Sequence, residues 1–130
     1  MNGGTAASAN GERALAMLRE LATGTLTRAN FTLDARWWAV TGQSFPLAQF
    51  LEILAMLHQQ TVGGIVIDTG LVIDKDDAVV IEATSNVPLV DGGRYANRYL
   101  FLIHFDGGLI REVREYNDSA HVAEAFHLGR

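Results

Sequence analysis

The sequence predicts an α+β fold, with helices in the first half of the chain and strands in the second. Apolar residues recur at helical spacing in two segments of the first 61 residues, whereas apolar and polar residues alternate between turns from residue 64 onward. Because the two patterns are segregated along the chain, we expect an antiparallel sheet with helices packed on one face. The 130 residues have the length of one domain, and no repeat or linker divides them.

The first half of the chain contains two predicted long helices with a strand between them. Gly24 fits just past the end of the first helix, and Pro46 suits the first turn of the second. The aromatic pair Trp37 and Trp38 favours the strand. In chain order, the predicted elements are a helix, a short helical turn, a strand and a helix, over residues 10–22, 27–33, 35–40 and 46–61.

The second half predicts four strands in succession and a short closing helix. Turn residues separate the segments, and Asp106-Gly107-Gly108 is a strong hairpin signal because glycine accepts positive φ at little cost. The predicted strands cover residues 65–73, 78–87, 94–105 and 109–117, and the helix covers residues 119–126.

The composition argues against several classes of protein. The chain has no cysteine, a net charge of −5 and a single lysine, so we expect neither disulfides nor a nucleic-acid surface. No apolar run has membrane-spanning length, and residues 1–9 are small and polar, which predicts disorder and not a signal peptide. No metal-ligand spacing occurs. We therefore expect a cytoplasmic protein with a small-molecule or protein partner, without cofactor or metal.

The strand over residues 94–105 presents two different faces. Tyr95, Asn97, Tyr99 and Phe101 alternate on one face, which we expect to be concave and to line a pocket. Asn97 then either orients a ligand carbonyl or hydroxyl together with a tyrosine, or is a core amide bonded to backbone. The other face carries Leu100, Leu102 and His104, and an exposed apolar sheet face of this kind predicts a homodimer.

Glu115 is the best candidate for an acid or base. A carboxyl group in an apolar pocket has a raised pKa, which suits proton transfer near neutral pH. The alternative is a structural salt bridge to Arg94, Arg98 or Arg114 on neighbouring strands.

Three further side chains are candidate ligand contacts. Trp37 and Trp38 point to opposite sides of their strand, so one is expected to line the pocket and the other to pack outside. His58 lies on the apolar stripe of the second long helix, where it either reaches the pocket or is a bonded core residue.

Three motifs together resemble the SnoaL-like and ketosteroid-isomerase-like proteins of the nuclear transport factor 2 superfamily. They are Asp34-Ala35-Arg36-Trp37-Trp38, then Tyr95-Ala96-Asn97-Arg98-Tyr99, and then Asp106-Gly107-Gly108-Leu109-Ile110 followed by Arg114-Glu115-Tyr116-Asn117-Asp118. The resemblance implies a cone-shaped, curved sheet that encloses an apolar cavity with its helices, and a dimer through the outer sheet face. In phenazine-biosynthesis proteins of the superfamily, the glutamate that matches Glu115 lies in the cavity as a general acid.

The resemblance does not select one activity. The inward strand has Asn97 where a ketosteroid isomerase would need an aspartate, and Arg98-Tyr99-Leu100 lacks the aspartate of the epoxide hydrolases. Two hypotheses follow. The first is a cofactor-free isomerase, cyclase or dehydratase that uses Glu115 and Asn97 for proton transfer on an apolar carbonyl compound. The second is a non-catalytic ligand-binding or dimerisation module of the same fold.

Overall fold

A computed structural model describes residues 8–128, which contain three α-helices and six β-strands. The helices are α1 (Ala9–Glu20), α2 (Leu47–Gln59) and α3 (Ser119–Ala125). The strands are β1 (Phe31–Ala39), β2 (Ser44–Pro46), β3 (Asp68–Lys75), β4 (Ala78–Pro88), β5 (Arg94–Asp106) and β6 (Leu109–Tyr116). Short 3-10 turns cover Leu21–Thr23 and Arg28–Asn30.

The start of α1 lies closer to the N-terminus than the sequence predicts. Ser8 is the N-cap residue, and its hydroxyl accepts a hydrogen bond from the backbone N–H of Gly11 at 3.1 Å. This bond satisfies one of the donors that a helix leaves free at its first turn. Of the nine residues predicted to be disordered, Ser8 and Ala9 are therefore ordered, and residues 1–7 lie outside the described part of the chain.

The six strands form one curved, open sheet in the order β2-β1-β6-β5-β4-β3. The four strands of the second half pair antiparallel, as predicted, but β1 pairs with β6 in parallel, so the sheet is mixed. This pairing joins segments far apart in the chain and aligns Trp37 with Val113 and Ala39 with Glu115. Local residue patterns carry no information about such a partner, which is why the sequence predicted only antiparallel pairing.

Two element boundaries differ from the prediction in ways that matter for the site. Residues 44–46 form the short strand β2, and Pro46 precedes α2 as its N-cap. The third strand begins at Asp68, and Ile65 and Ile67 lie before it in extended chain with buried side chains.

The helices all pack on the inner face of the sheet or at its end. α1 packs against β3 and β4, α2 packs against β1 and β2, and α3 packs against β5. Within residues 8–128, no helix combines the length and the apolar character needed to cross a membrane.

Strand β5 has the two faces that its sequence predicts. Every second side chain is buried along its whole length: Tyr95, Asn97, Tyr99, Phe101, Ile103 and Phe105. The intervening residues are exposed or half-buried, among them Leu100, Leu102 and His104. The predicted concave placement of Tyr95, Asn97 and Tyr99 is confirmed.

Candidate functional site

A cavity of about 470 Å³ lies between the inner face of the sheet and helices α2 and α3. Its walls are mostly apolar and aromatic, from β1, β5, both helices and the segment before β3. The side chains used below are Trp37, Phe50, Tyr95, Tyr99, Phe101, Glu115 and Asn117, together with Val122 and Phe126 of α3. An apolar cleft of this volume with a few polar groups is the usual form of a small-molecule site.

Glu115 is the sole carboxylate among the described residues that line the cavity, and no lysine, arginine or histidine is among them. It reaches the cavity because β6 aligns it with Phe101 of β5 on one side and with the small Ala39 of β1 on the other. Its side chain is half-buried.

Two neutral donors hold the Glu115 carboxyl group. The indole N–H of Trp37 donates to Oε1 at 2.9 Å, and the Asn117 amide donates to Oε2 at 2.7 Å. Burial raises the pKa of Glu115, and these two hydrogen bonds oppose that shift only in part. The carboxyl is therefore oriented by the protein without being neutralised by a cation.

The salt-bridge alternative for Glu115 does not match the positions of the arginines. Within residues 8–128, no arginine pairs with it. Arg94 donates to Asn86 at 2.8 Å, and Arg114 lies on the outer face, over the ring of Trp38 and 4.0 Å from Glu112.

Trp37 is the inward member of the tryptophan pair. Its ring stacks on Phe50 of α2, with centroids 3.9 Å apart and planes 4° from parallel. Trp38 faces outward, 5.1 Å from the ring of Tyr116, so the ligand contact expected of it does not match its position. Because neighbouring residues of a strand alternate, only one of the two indoles can reach the cavity.

Tyr95 and Tyr99 of β5 line the cavity together with Glu115, and their hydroxyl groups are hydrogen-bonded. The Tyr99 hydroxyl donates to the Tyr95 hydroxyl at 2.7 Å, and Ser85 of β4 lies 2.8 Å from the Tyr99 oxygen. Burial, and then the nearby Glu115 charge, raise the pKa of Tyr95 to about 12, and burial also raises the pKa of Tyr99. Both phenols therefore stay protonated at neutral pH.

Asn97 is buried but does not line the cavity. Its amide oxygen accepts from the backbone N–H groups of Arg98 and Asp118, at 2.8 and 2.9 Å. Its amide nitrogen donates to the Tyr95 hydroxyl at 3.1 Å and to the Asp118 carbonyl at 3.2 Å. These four bonds use the full capacity of the side chain. Asn97 therefore does not make the direct ligand contact that one of the two predictions expected. Its side chain is instead a fully hydrogen-bonded amide at the start of α3.

His58 also lies away from the cavity. It packs against Gly24, where a Cβ atom would come within 2.6 Å of the histidine Cγ. Gly24 has φ of +78°, so it both ends the turn after α1 and leaves room for this ring. The apolar face of α2 extends beyond the cavity. His58 lies on the part of this face that packs against Gly24, and not on the part that lines the cavity.

Sequence reasoning missed two residues of the site. Asn117 shares a face with Glu115, two residues away, and alternation was the available signal. Ser85 is brought to Tyr99 by the register between β4 and β5, which pairs Ser85 with Asn97. No pattern in the sequence indicates that register. Within residues 8–128, no three metal-ligating side chains gather in one place.

The comparison with solved structures identifies the fold. A SnoaL-like protein from Jannaschia sp. CCS1 superposes with a TM-score of 0.76 at 18% identity, over 100% of this chain and 99% of that chain. The pinacolase BvnE from Penicillium brevicompactum superposes with the same TM-score and identity, over 89% of this chain and 90% of that chain.

An NTF2-like protein from Burkholderia pseudomallei K96243 covers 93% of this chain and 99% of its own, with a TM-score of 0.71 at 15% identity. The fold is that of the SnoaL-like and NTF2-like proteins. The resemblance seen in the sequence motifs is thereby confirmed at the level of the fold. No family model matches the sequence, and no curated protein matches it.

Proposed function

We propose that this protein is an acid/base enzyme that acts without a cofactor on an apolar carbonyl compound, with Glu115 as the group that transfers the proton. One observation carries the proposal: a single carboxyl group lies in an aromatic cavity, fixed by two neutral donors and paired with no arginine among residues 8–128. A titratable group whose pKa is perturbed by burial inside a cleft is a typical catalytic candidate. One of the structural neighbours, BvnE, is an enzyme by its name, a pinacolase.

The environment of Glu115 is compatible with both of its protonation states. Burial favours the neutral acid, whereas the Trp37 and Asn117 donors favour the carboxylate. A raised pKa makes the carboxylate a stronger proton acceptor, and the two donors hold its oxygens in place for the transfer.

The proposed step is proton removal from the carbon beside a carbonyl group. The C–H bond breaks, the proton goes to a carboxylate oxygen of Glu115, and the electron pair moves onto the carbonyl oxygen. Return of the proton at another position gives an isomerisation. Loss of a β-hydroxyl group from the enolate, which takes the proton from Glu115 and leaves as water, gives a dehydration. Attack of the enolate carbon on a second carbonyl group of the same molecule, whose oxygen takes the proton, gives a cyclisation.

Hydrogen exchange into a test ketone measures this step directly. The probe is 2-acetylnaphthalene in D₂O, and NMR follows the loss of its methyl protons. The protein should accelerate exchange, and Glu115→Gln should reduce the enzymatic rate by about 10²- to 10⁴-fold, the usual contribution of a general base. Glu82→Gln is the matched control, because Glu82 is exposed on the outer face of β4. Exchange equal in the protein and the Glu115→Gln variant would contradict the assignment of Glu115.

The second candidate function is a binding module without catalysis. It is favoured by the two hydrogen bonds to Glu115, since a carboxyl group with both oxygens occupied is also what a structural role requires. In this case the protein would bind 2-acetylnaphthalene but leave its exchange rate at that of the buffer.

We also propose that two copies of the chain pair through the outer face of the sheet. A row of register partners crosses this face: Ile73, Val80, Leu102, Arg114 and Trp38. Ile73 is 53% exposed, and the half-buried Glu112 and Arg114 give the face both signs of charge, which a two-fold pairing can match. Analytical ultracentrifugation should find a dimer, and Leu102→Asp should shift it to monomer. A monomer at micromolar concentration would contradict the proposal.

A further inference from the structure

The cavity is lined by one acidic side chain and, among the described residues, by no basic one. Glu115 lines it, and no lysine, arginine or histidine of residues 8–128 does so. The donors that hold the carboxyl group, Trp37 and Asn117, are neutral. The phenols of Tyr95 and Tyr99 also line the cavity, and they stay protonated because burial raises the pKa of both. An ionised Glu115 therefore gives this space a negative charge that no described side chain compensates.

The walls around this charge are aromatic on several sides. They include Trp37 of β1, Phe45 of β2, Phe50 of α2, Phe101 of β5 and Phe126 at the end of α3. The faces of aromatic rings carry partial negative charge and attract cations, which adds to the attraction of a carboxylate. The effective dielectric constant is lower inside a protein than in water, so both attractions are stronger there than at a surface. This lining favours a cationic ligand that also has apolar surface.

A divalent metal ion does not fit this lining. Ca²⁺ and Mg²⁺ take about six or more oxygen ligands, whereas Glu115 is the sole carboxylate among the described lining residues. Within residues 8–128, no three metal-ligating side chains gather in one place. An ammonium ion with alkyl substituents needs no such ligand set, because its charge is spread over carbon atoms that pack on aromatic rings.

We propose that the cavity binds organic ammonium ions, with Glu115 as their counter-ion and the aromatic side chains as their apolar wall. Each oxygen of Glu115 accepts one hydrogen bond from the protein, and an ionised carboxyl group can accept about four, so a ligand N–H group can also bond there. The proposal goes beyond the proposed function, because holding a cation beside Glu115 requires no proton transfer.

Two probes with the same shape and different charge test this proposal. In 3,3-dimethylbutan-1-ol a carbon atom replaces the charged nitrogen of choline. An apolar cavity without a counter-ion would bind the alcohol more tightly, because removing a cation from water costs more than removing an alkyl group. With Glu115 as the counter-ion, choline should bind about ten-fold more tightly than the alcohol at pH 8, the effect of a desolvated cation on aromatic rings. Sodium chloride keeps the ionic strength equal in the two titrations.

The two indole N–H signals in NMR spectra show where the cation binds. The Trp37 indole donates to Glu115, so its signal should move during the choline titration. The Trp38 indole lies on the outer face under Arg114, and its signal should stay in place. Trp38→Phe assigns the two signals. Movement of the Trp38 signal alone would place the cation on the outer face and overturn the inference.

A charge-removing variant tests the role of Glu115 as the counter-ion. Glu115→Gln nearly keeps the shape of the side chain and removes its charge, so the alcohol should then bind at least as tightly as choline. Glu82→Gln is the matched control and should keep the choline preference, because Glu82 is exposed on the outer face of β4. A choline preference that survives in Glu115→Gln would overturn the inference.

The pH dependence of binding tests the same point in the unmodified protein. Burial raises the pKa of Glu115, so its carboxyl group is neutral at low pH and charged above its native pKa. The affinity for choline should therefore rise between pH 4 and pH 8, while the affinity for the alcohol should not.

Other titratable groups near Glu115 do not line the cavity. His121 of α3 stacks on Tyr95, with ring centroids 5.5 Å apart, and Asp118 caps the start of α3. Because Glu115→Gln retains both groups, the rise in choline affinity should be absent from that variant. A choline affinity that is constant from pH 4 to pH 8 in the unmodified protein would overturn the inference.

The outcomes separate this inference from the proposed function. Equal binding of the two probes, tighter binding of the alcohol, or no movement of the Trp37 signal with choline would overturn the inference and leave hydrogen exchange through Glu115 intact. Choline binding without acceleration of exchange in 2-acetylnaphthalene would support the ammonium site and contradict the proposed enzyme.

Discussion

The inner and outer faces of the same sheet use the same residue types for different purposes. Inside, Trp37 stacks on Phe50 and donates to Glu115. Outside, Trp38 packs on Tyr116 and lies 4.2 Å below the guanidinium of Arg114. Within residues 8–128, the inner face thus holds the Glu115 carboxyl group without a cationic partner, whereas on the outer face Arg114 lies 4.0 Å from Glu112.

This contrast indicates which face of the sheet is suited to acid/base chemistry. A glutamate on the outer face is near arginine and water, so its ionisation is easily compensated. Among the residues that the structure describes, Glu115 has only neutral hydrogen-bond partners, and this keeps its proton available for transfer. The substitutions below compare matched residues on the two faces, beginning with the largest expected effect.

The two tryptophans should differ most in their contribution to stability. Trp37 is 2% exposed and fully packed, so Trp37→Ala should cost about 3–5 kcal/mol of unfolding free energy. Trp38→Ala removes a half-buried ring and one cation–π contact, and should cost about 1 kcal/mol. Urea denaturation measures both. Equal losses would mean that the two faces are packed alike.

The buried asparagine should matter more than an outer one. Asn97→Ala leaves backbone groups of Asp118 and Arg98 without their partner, and should cost about 1–3 kcal/mol. Asn86→Ala removes one bond to Arg94 in an exposed position and should change stability by less than about 0.5 kcal/mol. Thermal melts of the two variants under identical conditions distinguish the cases.

The pH dependence of stability should separate Glu115 from Glu82. A pKa raised by folding stabilises the protein below the unfolded value of about 4.3, and this contribution is lost as pH rises through the native pKa. Glu115→Gln removes the ionisation, and its amide can satisfy Trp37 while Asn117 turns its own amide around.

At pH 8, Glu115→Gln should therefore be as stable as the unmodified protein or more stable, and its advantage should shrink toward pH 4. Glu82→Gln should show no such trend, because Glu82 is exposed. A clear loss of stability in Glu115→Gln at pH 8 would indicate a structural carboxylate and favour the binding module.

Local patterns predicted the faces of the strands but not their neighbours. The alternation in β5 is set within one segment, so the inward tyrosines and Phe101 followed from the sequence alone. The choice between Trp37 and Trp38 depended on the parallel pairing of β1 with β6, and the position of Ser85 depended on the register of β4. Those are contacts between distant segments, and one sequence gives no direct signal for them.

The sequence predicted which residues belong to the region of the candidate site better than it predicted what each of them does there. Glu115 and the two tyrosines line the cavity, whereas Asn97 lies behind Tyr95 and His58 lies against Gly24. These residues differ because a shared face of a strand or helix only brings their side chains to the same side of that element. The neighbouring loop and helix ends decide which of them reach open space.

The most direct test of the central claim is an NMR titration of the Glu115 carboxyl carbon, assigned by comparison with the Glu115→Gln variant. Burial in the cavity predicts a pKa above the ordinary value for glutamate. A Glu115 pKa at or below the ordinary value for glutamate would show a carboxylate that the protein stabilises in its charged form, and would contradict its assignment as the proton-transfer group.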